Sequence, residues 1–194
     1  MSTTPLIPRT AGPRPGGRSA RVQAAIHQAV RELLAEAPRD SLTVPAVATR
    51  AGVTPSTIYR RWGDLGQLLA DVAVETLRPE ATPEDTGSYQ GDLLAWLEQY
   101  RDEMSSGPGR AMLRDVLGAG TENTGKCALY CTQQLDAIHE RAAARGESTL
   151  ATEAVLDGVV APMMYRILFA AQAPTNEDVA SWLDALLQAP RHST

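Results

Sequence analysis

The stretch LTVPAVATRAGVTPSTIYRRW, residues 42–62, predicts two short helices joined by a tight turn. Thr43 is a suitable N-cap for the first helix, because its hydroxyl can accept a hydrogen bond from a free amide of the first turn. Gly52 then ends that helix most simply in the left-handed conformation, which glycine adopts without strain. Thr54 is placed to cap the second helix, and Pro55 falls in its first turn, where the missing N–H costs nothing. Two helices in this order are typical of a helix-turn-helix unit.

The two faces of the second helix differ in their chemistry. Ile58 and Trp62 lie four residues apart and predict a buried stripe. The other face carries hydroxyls, a phenol and two guanidinium groups, which suit phosphate oxygens and base edges in a DNA major groove. These outward residues are Ser56, Thr57, Tyr59, Arg60 and Arg61. From the residues alone two interpretations stay open: a DNA-reading helix, or a helical hairpin with a solvated polar face.

Together with the segment GDLGQLLADV that follows it, this stretch resembles the N-terminal domain of the TetR (tetracycline-repressor-like) transcriptional regulators. The matching positions are Thr43, Ala48, Ala51-Gly52-Val53, Thr57-Ile58-Tyr59, Trp62, Leu68 and Leu69. Leu65 departs from the pattern, because family members commonly have a lysine there that contacts a phosphate. The resemblance implies an all-α chain of about nine helices. An N-terminal three-helix helix-turn-helix domain would bind DNA, and a C-terminal helical domain would bind a ligand and dimerise.

The resemblance also implies a function. A protein of this kind is a homodimer that binds a palindromic double-stranded operator. It is most often a repressor that a small-molecule ligand releases from the DNA. The two reading helices would enter successive major grooves roughly 34–36 Å apart. The candidate residues are Thr43, Tyr59 and Arg61 for phosphates, Ser56, Thr57 and Arg60 for base edges, and Arg50, Thr54 and Pro55 without an assigned contact.

Charge is divided unevenly along the chain, whose formal net charge is −5 at pH 7. Residues 1–62 contain nine arginines and three acidic residues, whereas residues 63–194 contain nine basic and twenty acidic residues. This asymmetry fits a chain in which only the first part faces nucleic acid. No window reaches the ~18 apolar residues of a membrane span, and the N-terminus lacks the apolar stretch of a signal peptide. We therefore expect a cytoplasmic protein that has no membrane partner.

Changes in composition predict the domain boundaries. Residues 1–17, rich in proline and glycine, are expected to form a disordered basic arm. A helix-turn-helix domain follows at 18–63, and a connecting helix at 64–78 leads to the ligand-binding and dimerisation domain at 79–194. Further helices are expected near residues 89–105, 110–118, 126–145, 149–172 and 176–189, with breaks at 107–109 and 118–125.

The helix predicted over residues 149–172 is apolar almost all round, and a single small body cannot easily cover such a helix. Pro162 lies inside it and is expected to kink it. The final helix also carries more apolar surface than a terminal helix needs. We therefore predict that the last two helices pair with those of a second copy in a four-helix interface. The predicted interface residues are Val159, Met163, Ile167, Val179, Trp182, Leu183 and Leu186.

Aromatic and sulfur-containing side chains in the C-terminal part are candidates for a ligand pocket. They suit a small apolar ligand with a few polar handles, although ordinary core packing explains them as well. The candidates are Trp96, Tyr100, Met104, Met112, Cys127, Tyr130 and Met163. Cys127 and Cys131 lie one helical turn apart, which favours two reduced thiols over a disulfide and leaves a redox role as the lesser alternative.

Two other classes of function were weighed against a regulator. An enzyme is not expected, because the sequence has no metal-spaced set of ligands, no nucleophile elbow and no phosphate-cradling glycine loop. For the same reason no metal or cofactor is expected. The remaining alternative is a helical dimerisation or scaffold protein with a weakened DNA-binding head, an interpretation that Leu65 makes conceivable. Such a head would bind DNA with little dependence on salt.

Overall fold

A computed structural model describes residues 17–189 of the chain, and all regular structure among them is helical. The helices are α1 (Gly17–Glu36), α2 (Val44–Ala51), α3 (Pro55–Trp62), α4 (Leu65–Thr76), α5 (Tyr89–Ser105), α6 (Gly107–Gly118), α7 (Thr121–Ala144), α8 (Thr152–Val155), α9 (Ala161–Phe169) and α10 (Asn176–Gln188), with a 3-10 turn at Arg39–Ser41 and a π-helical segment at Leu156–Val160. Because α8, the π-helical segment and α9 follow without a break, residues 17–189 form nine helical rods, which confirms the predicted fold class. Within this range no helix has the length and apolar character that a membrane crossing requires.

The chain divides into two compact units, one that ends at Leu65 and one that starts at Gly66. Helix α4 begins at this division and, apart from its first residue, belongs to the C-terminal unit. The predicted arm at residues 1–17 lies outside the described residues except for Gly17, where α1 begins.

In the N-terminal unit, α1 packs against α2, and α2 contacts α3. Ile26 and Val30 of α1, Val47 of α2 and Ile58 of α3 are fully buried. The apolar positions of three short helices therefore point inward, and burial of this small set of side chains supplies most of the favourable free energy of the unit.

The turn between α2 and α3 forms as predicted. The Thr43 hydroxyl accepts a hydrogen bond from the Ala46 amide at 3.3 Å, and Pro45 lies in the first turn of α2. Gly52 ends the helix with φ +67°, and its amide donates to the Ala48 and Thr49 carbonyls. All of these contacts lie within one or two turns of each other, so the sequence alone was sufficient to predict them.

In the C-terminal unit, α5 is the central helix and contacts α6, α7, α9 and α10. Leu93 and Leu97 of α5 are fully buried together with Leu135 and Ile138 of α7, and Leu183 of α10 is 1% exposed. The core of this unit is thus built from helices that are far apart in the sequence.

Two helices of the C-terminal unit begin earlier than predicted. Residues 107–109 are not a break but the first turn of α6, because Ser106 caps the helix by accepting a hydrogen bond from the Gly109 amide at 2.9 Å. Pro108 is tolerated there because the first turn needs no N–H donor from it. Likewise α7 starts at Thr121 rather than near residue 126. Glycine and proline indicate that a helix boundary is near. The position of the capping residue decides whether the glycine and proline lie inside the helix or outside it.

Pro162 lies in the first turn of α9, directly after the π-helical segment. A proline inside a helix lacks an N–H donor and clashes with the carbonyl four residues earlier, so regular α-helix does not continue through it. The structure shows a π-helical segment directly before Pro162, and the kink itself stays a prediction. Within this segment, Gly158 allows α10 to approach closely, because a Cβ at Gly158 would lie 3.1 Å from Leu186 Cδ1.

Most of the predicted interface residues belong to the core of the single subunit, which corrects that prediction. The five concerned are Val159, Met163, Ile167, Val179 and Leu183, each at most 2% exposed. Helices of the same chain already cover them, so they are not available to a partner. Trp182 and Leu186 are half-buried. The apolar residues of α9 that do face outward are Tyr165, 66% exposed, and Phe169, 73% exposed.

Candidate DNA-reading surface and ligand cavity

Helix α3 has one inward and one exposed face, as predicted, but Trp62 of the predicted buried stripe is only half-buried. Ile58 is fully buried, whereas Tyr59 is 50% exposed. The predicted contact residues Thr43, Thr54, Pro55, Ser56, Tyr59, Arg60 and Arg61 are exposed, and Thr57 is half-buried. One side of the helix is therefore free to approach a nucleic acid without any change in the packing of the unit.

The two arginines of α3 are held differently. Arg61 donates to the carbonyl oxygen and the hydroxyl of Ser19 in α1, and its guanidinium lies 5.4 Å from the centre of the Trp62 ring. Arg60 makes no hydrogen bond or ion pair with any of residues 17–189. Arg61 is thus held at the start of α1, whereas the five N–H donors of the Arg60 guanidinium have no partner among residues 17–189.

Arg50 is exposed but engaged in ion pairs within the N-terminal unit, and its DNA contact stays a prediction. Its guanidinium donates to both Glu36 oxygens at 2.7 and 2.8 Å and to Glu32 at 3.3 Å. The hydrogen bond from Arg50 lowers the pKa of Glu36, and the same carboxylate raises the pKa of Arg50. Arg50 therefore joins α2 to α1 and has its charge already compensated. The sequence offered no signal for this pairing, because the partners lie on another helix.

The hydroxyls at the start of α3 form a small cluster. Thr54 occupies the N-cap position, but its side chain makes no capping bond, contrary to the prediction. Instead its hydroxyl lies 2.9 Å from the Ser56 hydroxyl and 3.1 Å from the Thr57 hydroxyl. These three groups keep donors and acceptors available at the exposed end of the helix.

A cavity of about 410 Å³ opens in the C-terminal unit, among the end of α4, the loop after it, and α5, α6 and α7. Of the predicted pocket residues, Trp96, Tyr100, Met104, Cys127 and Tyr130 line it. Met112 and Met163 do not line it, which corrects these two assignments. Met112 packs beside Val74 and Val116, and Met163 is fully buried in the main core.

Aromatic rings and neutral thiols dominate the inner wall of the cavity. The Trp96 and Tyr100 rings stack with their centres 5.3 Å apart and an interplanar angle of 21°. Burial raises the pKa of Tyr100, and it raises the pKa of Cys131 to about 11. Cys127 is also a free thiol whose pKa burial raises. At neutral pH all of these groups are uncharged, so the thiols lack the thiolate character of reactive cysteines.

Sequence reasoning missed the polar part of the lining. The segment from Thr76 to Pro83 forms one wall, and Gln99, Glu103 and Gln134 contribute side chains from α5 and α7. Desolvation raises the pKa of Glu103, which lies exposed at the rim. The only sequence signal for this wall was the proline-rich composition of the loop, and composition does not show that a loop folds back over neighbouring helices.

A buried carboxylate holds the far end of that loop. Asp92 of α5 is inaccessible to solvent and accepts hydrogen bonds from the Thr86 amide at 2.7 Å, the Thr86 hydroxyl at 2.8 Å and Arg145 at 2.9 Å. Burial opposes ionisation of Asp92, but these hydrogen bonds outweigh it and lower its pKa. Arg141 donates to the Pro83 carbonyl at 2.7 Å. The loop wall is therefore fastened to the end of α7.

This fold and this exposed helix define a helix-turn-helix DNA-binding regulator. Residues 26–72 match the family model described as bacterial regulatory proteins of the tetR family. Residues 83–186 match the model of the tetracyclin repressor-like C-terminal domain. The chain belongs to the TetR family of transcriptional regulators.

Individual relatives agree with this assignment. An uncharacterized HTH-type transcriptional regulator of Mycobacterium bovis is 29% identical over 164 residues, which cover 80% of each chain. The HTH-type regulator YdeS of Bacillus subtilis is 28% identical over 153 residues, 74% of this chain and 77% of the relative. The crystal structure of the TetR family regulator SCO0332 superposes with a TM-score of 0.63 at 24% identity, covering 86% of this chain and 97% of the other. At that identity the superposition shows the shared fold.

Proposed function

We propose that this protein is a homodimeric repressor that leaves a palindromic operator when a small molecule enters the cavity of the C-terminal unit. The observation that carries the proposal is the position of Thr76 and Leu77, which line the cavity at the end of α4. Helix α4 follows directly on the helix-turn-helix unit in the chain. A ligand that displaces its last turn would tilt the helix and thereby shift the equilibrium between DNA-binding and released states. Such a regulator would act in the bacterial cytoplasm, where the DNA is.

The experiment that tests this proposal measures linkage. Bound DNA is first selected from a random pool, and ligand affinity is then measured with and without the selected operator. An inducer must weaken operator binding by the same factor by which operator weakens ligand binding. Equal ligand affinity in the two states would refute the inducer role. An operator affinity that hardly changes with salt would instead favour a scaffold protein with a weakened DNA-binding head.

Within the proposed complex, Arg60 reads a base and Tyr59 contacts the DNA backbone. Arg60→Ala is expected to remove about 1–3 kcal/mol of discrimination at one operator position. Tyr59→Phe is expected to weaken binding to all sequences alike, because a phosphate contact carries no sequence information. Titrations against single-base operator variants measure both effects.

Arg31→Ala is the matched control for Arg60→Ala. Arg31 is an exposed arginine of α1 that donates to Gln28, so the variant changes net charge equally without touching the reading surface. A base-preference profile of Arg60→Ala that coincides with that of Arg31→Ala would remove Arg60 from the reading role.

The proposed dimer forms through the outward face of the last two helices. Tyr165 and Phe169 lie in ring contact at 5.4 Å, and Arg166 lies 5.0 Å from the Trp182 ring on α10. Burial of a charge in an apolar interface is costly, so Phe169→Glu is expected to weaken dimerisation at least about tenfold. Sedimentation equilibrium measures this change. Leu129→Glu, on an equally apolar and 52% exposed site of α7, is the control and should leave the dimer intact. A dimer weakened by Leu129→Glu and not by Phe169→Glu would show that the interface lies on α7 instead.

A further inference from the structure

We infer that the ligand of the cavity is an organic cation with a flat apolar body, and that the Glu103 carboxylate holds its positive charge. This inference rests on the proposed function in one respect only, namely that the cavity is the ligand site. It adds the chemical class of the ligand and the residue that selects it.

The charges around the cavity favour a cation. One arginine and two glutamates line it: Arg78, Glu80 and Glu103. The side chain of Arg78 is 61% exposed and pairs with Glu75 at 3.5 Å, so its charge is compensated outside the cavity. Neither Glu80 nor Glu103 has an ion-pair partner among residues 17–189. An anion would meet two carboxylates that have no ion-pair partner, whereas a cation would pair with the Glu103 carboxylate.

The aromatic wall favours the same ligand. Tyr100 lies one turn before Glu103 on α5, and its ring stacks on Trp96, so a flat group entering the cavity meets an aromatic surface next to a carboxylate. Aromatic faces attract cations, and more strongly when water is excluded. The Tyr100 hydroxyl has no hydrogen-bond partner in the described part of the chain and can accept from a ligand N–H. Aromatic faces and a carboxylate on one wall are a combination that recognises ammonium groups.

The test compares three ligands of nearly equal shape on the full chain without DNA. They are 2-naphthyltrimethylammonium, its uncharged isostere 2-tert-butylnaphthalene, and naphthalene-2-sulfonate, with affinities measured by tryptophan fluorescence and calorimetry. The cation is expected to bind about tenfold more tightly than the isostere, as a cation–π contact combined with an ion pair allows. The sulfonate is expected to bind most weakly. Equal affinities, a preference for the sulfonate, or no binding of any of the three would overturn the inference.

Glu103→Gln keeps the size of the side chain and removes its charge. It should abolish most of the preference for the cation while leaving the affinity for the isostere unchanged. Asp102→Asn is the matched control, because Asp102 is the neighbouring acid on α5, is 66% exposed, pairs with Arg101 and lies outside the cavity lining. An equal loss in both variants would show that net charge alone selects the cation and would refute the role of Glu103.

The outcomes separate this inference from the proposed function. If the cation binds through Glu103 but operator affinity does not change, the ligand class stands and the inducer role fails. If the isostere or the sulfonate binds best and releases the operator, the regulator stands and the cation inference fails.

Discussion

Asp92→Ala is expected to lower the free energy of unfolding of the C-terminal unit by about 1–3 kcal/mol, because it removes a buried acceptor of three hydrogen bonds. The carboxylate accepts hydrogen bonds from Thr86 and Arg145, and no water reaches it. Its removal takes the acceptor away from the Thr86 amide and loosens the end of the cavity loop, which Arg141 still holds at the Pro83 carbonyl. Urea unfolding followed by tryptophan fluorescence measures the change. The control is Asp102→Ala on the exposed side of the same helix, which should cost little.

The same carboxylate predicts how stability depends on pH. Its pKa in the folded protein is lowered, so it lies below the value of about 3.9 in the unfolded chain. The stability that it contributes is therefore present above about pH 4 and is lost as pH falls through the folded pKa. Glu147 and Asp178 also have lowered pKa values, through hydrogen bonds from the Tyr89 and Thr175 amides. The loss of unfolding free energy at acid pH should consequently be smaller in Asp92→Asn than in the unchanged protein. Parallel profiles of unfolding free energy against pH would contradict the role of Asp92.

Ile58→Ala is expected to abolish operator binding while leaving the C-terminal unit folded. Truncation of a fully buried isoleucine costs about 2–5 kcal/mol, and Ile58 is 0% exposed beneath the reading helix. A unit of about 50 residues has only about 2.5–7.5 kcal/mol of stability at 0.05–0.15 kcal/mol per residue. The substitution therefore removes much of what keeps α3 in place, although it changes none of the exposed residues of α3.

Two measurements separate this effect from a loss of contacts. Fluorescence anisotropy gives operator affinity, and ligand binding to the cavity reports the C-terminal unit. Ile58→Val removes a single methyl group at a cost of about 0.5–1.5 kcal/mol, so it should retain most of the operator affinity. Full operator binding by Ile58→Ala would show that the unit is more stable than its size suggests.

Prediction from the sequence succeeded mainly where the deciding contacts were local, although the cap at Thr54 was predicted wrongly and the cap at Ser106 was missed. The capping of α2 by Thr43, the left-handed Gly52 and the outward position of Tyr59 all depend on residues within about two turns. It did not reveal the partners that an outward polar residue has on another helix. Arg50 has the residue type and spacing of a phosphate contact, but its charge is taken by two glutamates of α1.

The sequence by itself determined the all-α class, the helix-turn-helix unit and the chemistry of its exposed face, because helix caps and helical periodicity act over a few residues. Only the tertiary structure decided which apolar residues of the C-terminal unit are core and which face outward, and which side chains enclose the cavity. Val159 and Phe169 lie on the same stretch of helix, yet one is fully buried and the other 73% exposed. The physical reason is distance along the chain: Asp92 meets Arg141 across 49 residues, and the loop wall lies where that long-range contact holds it.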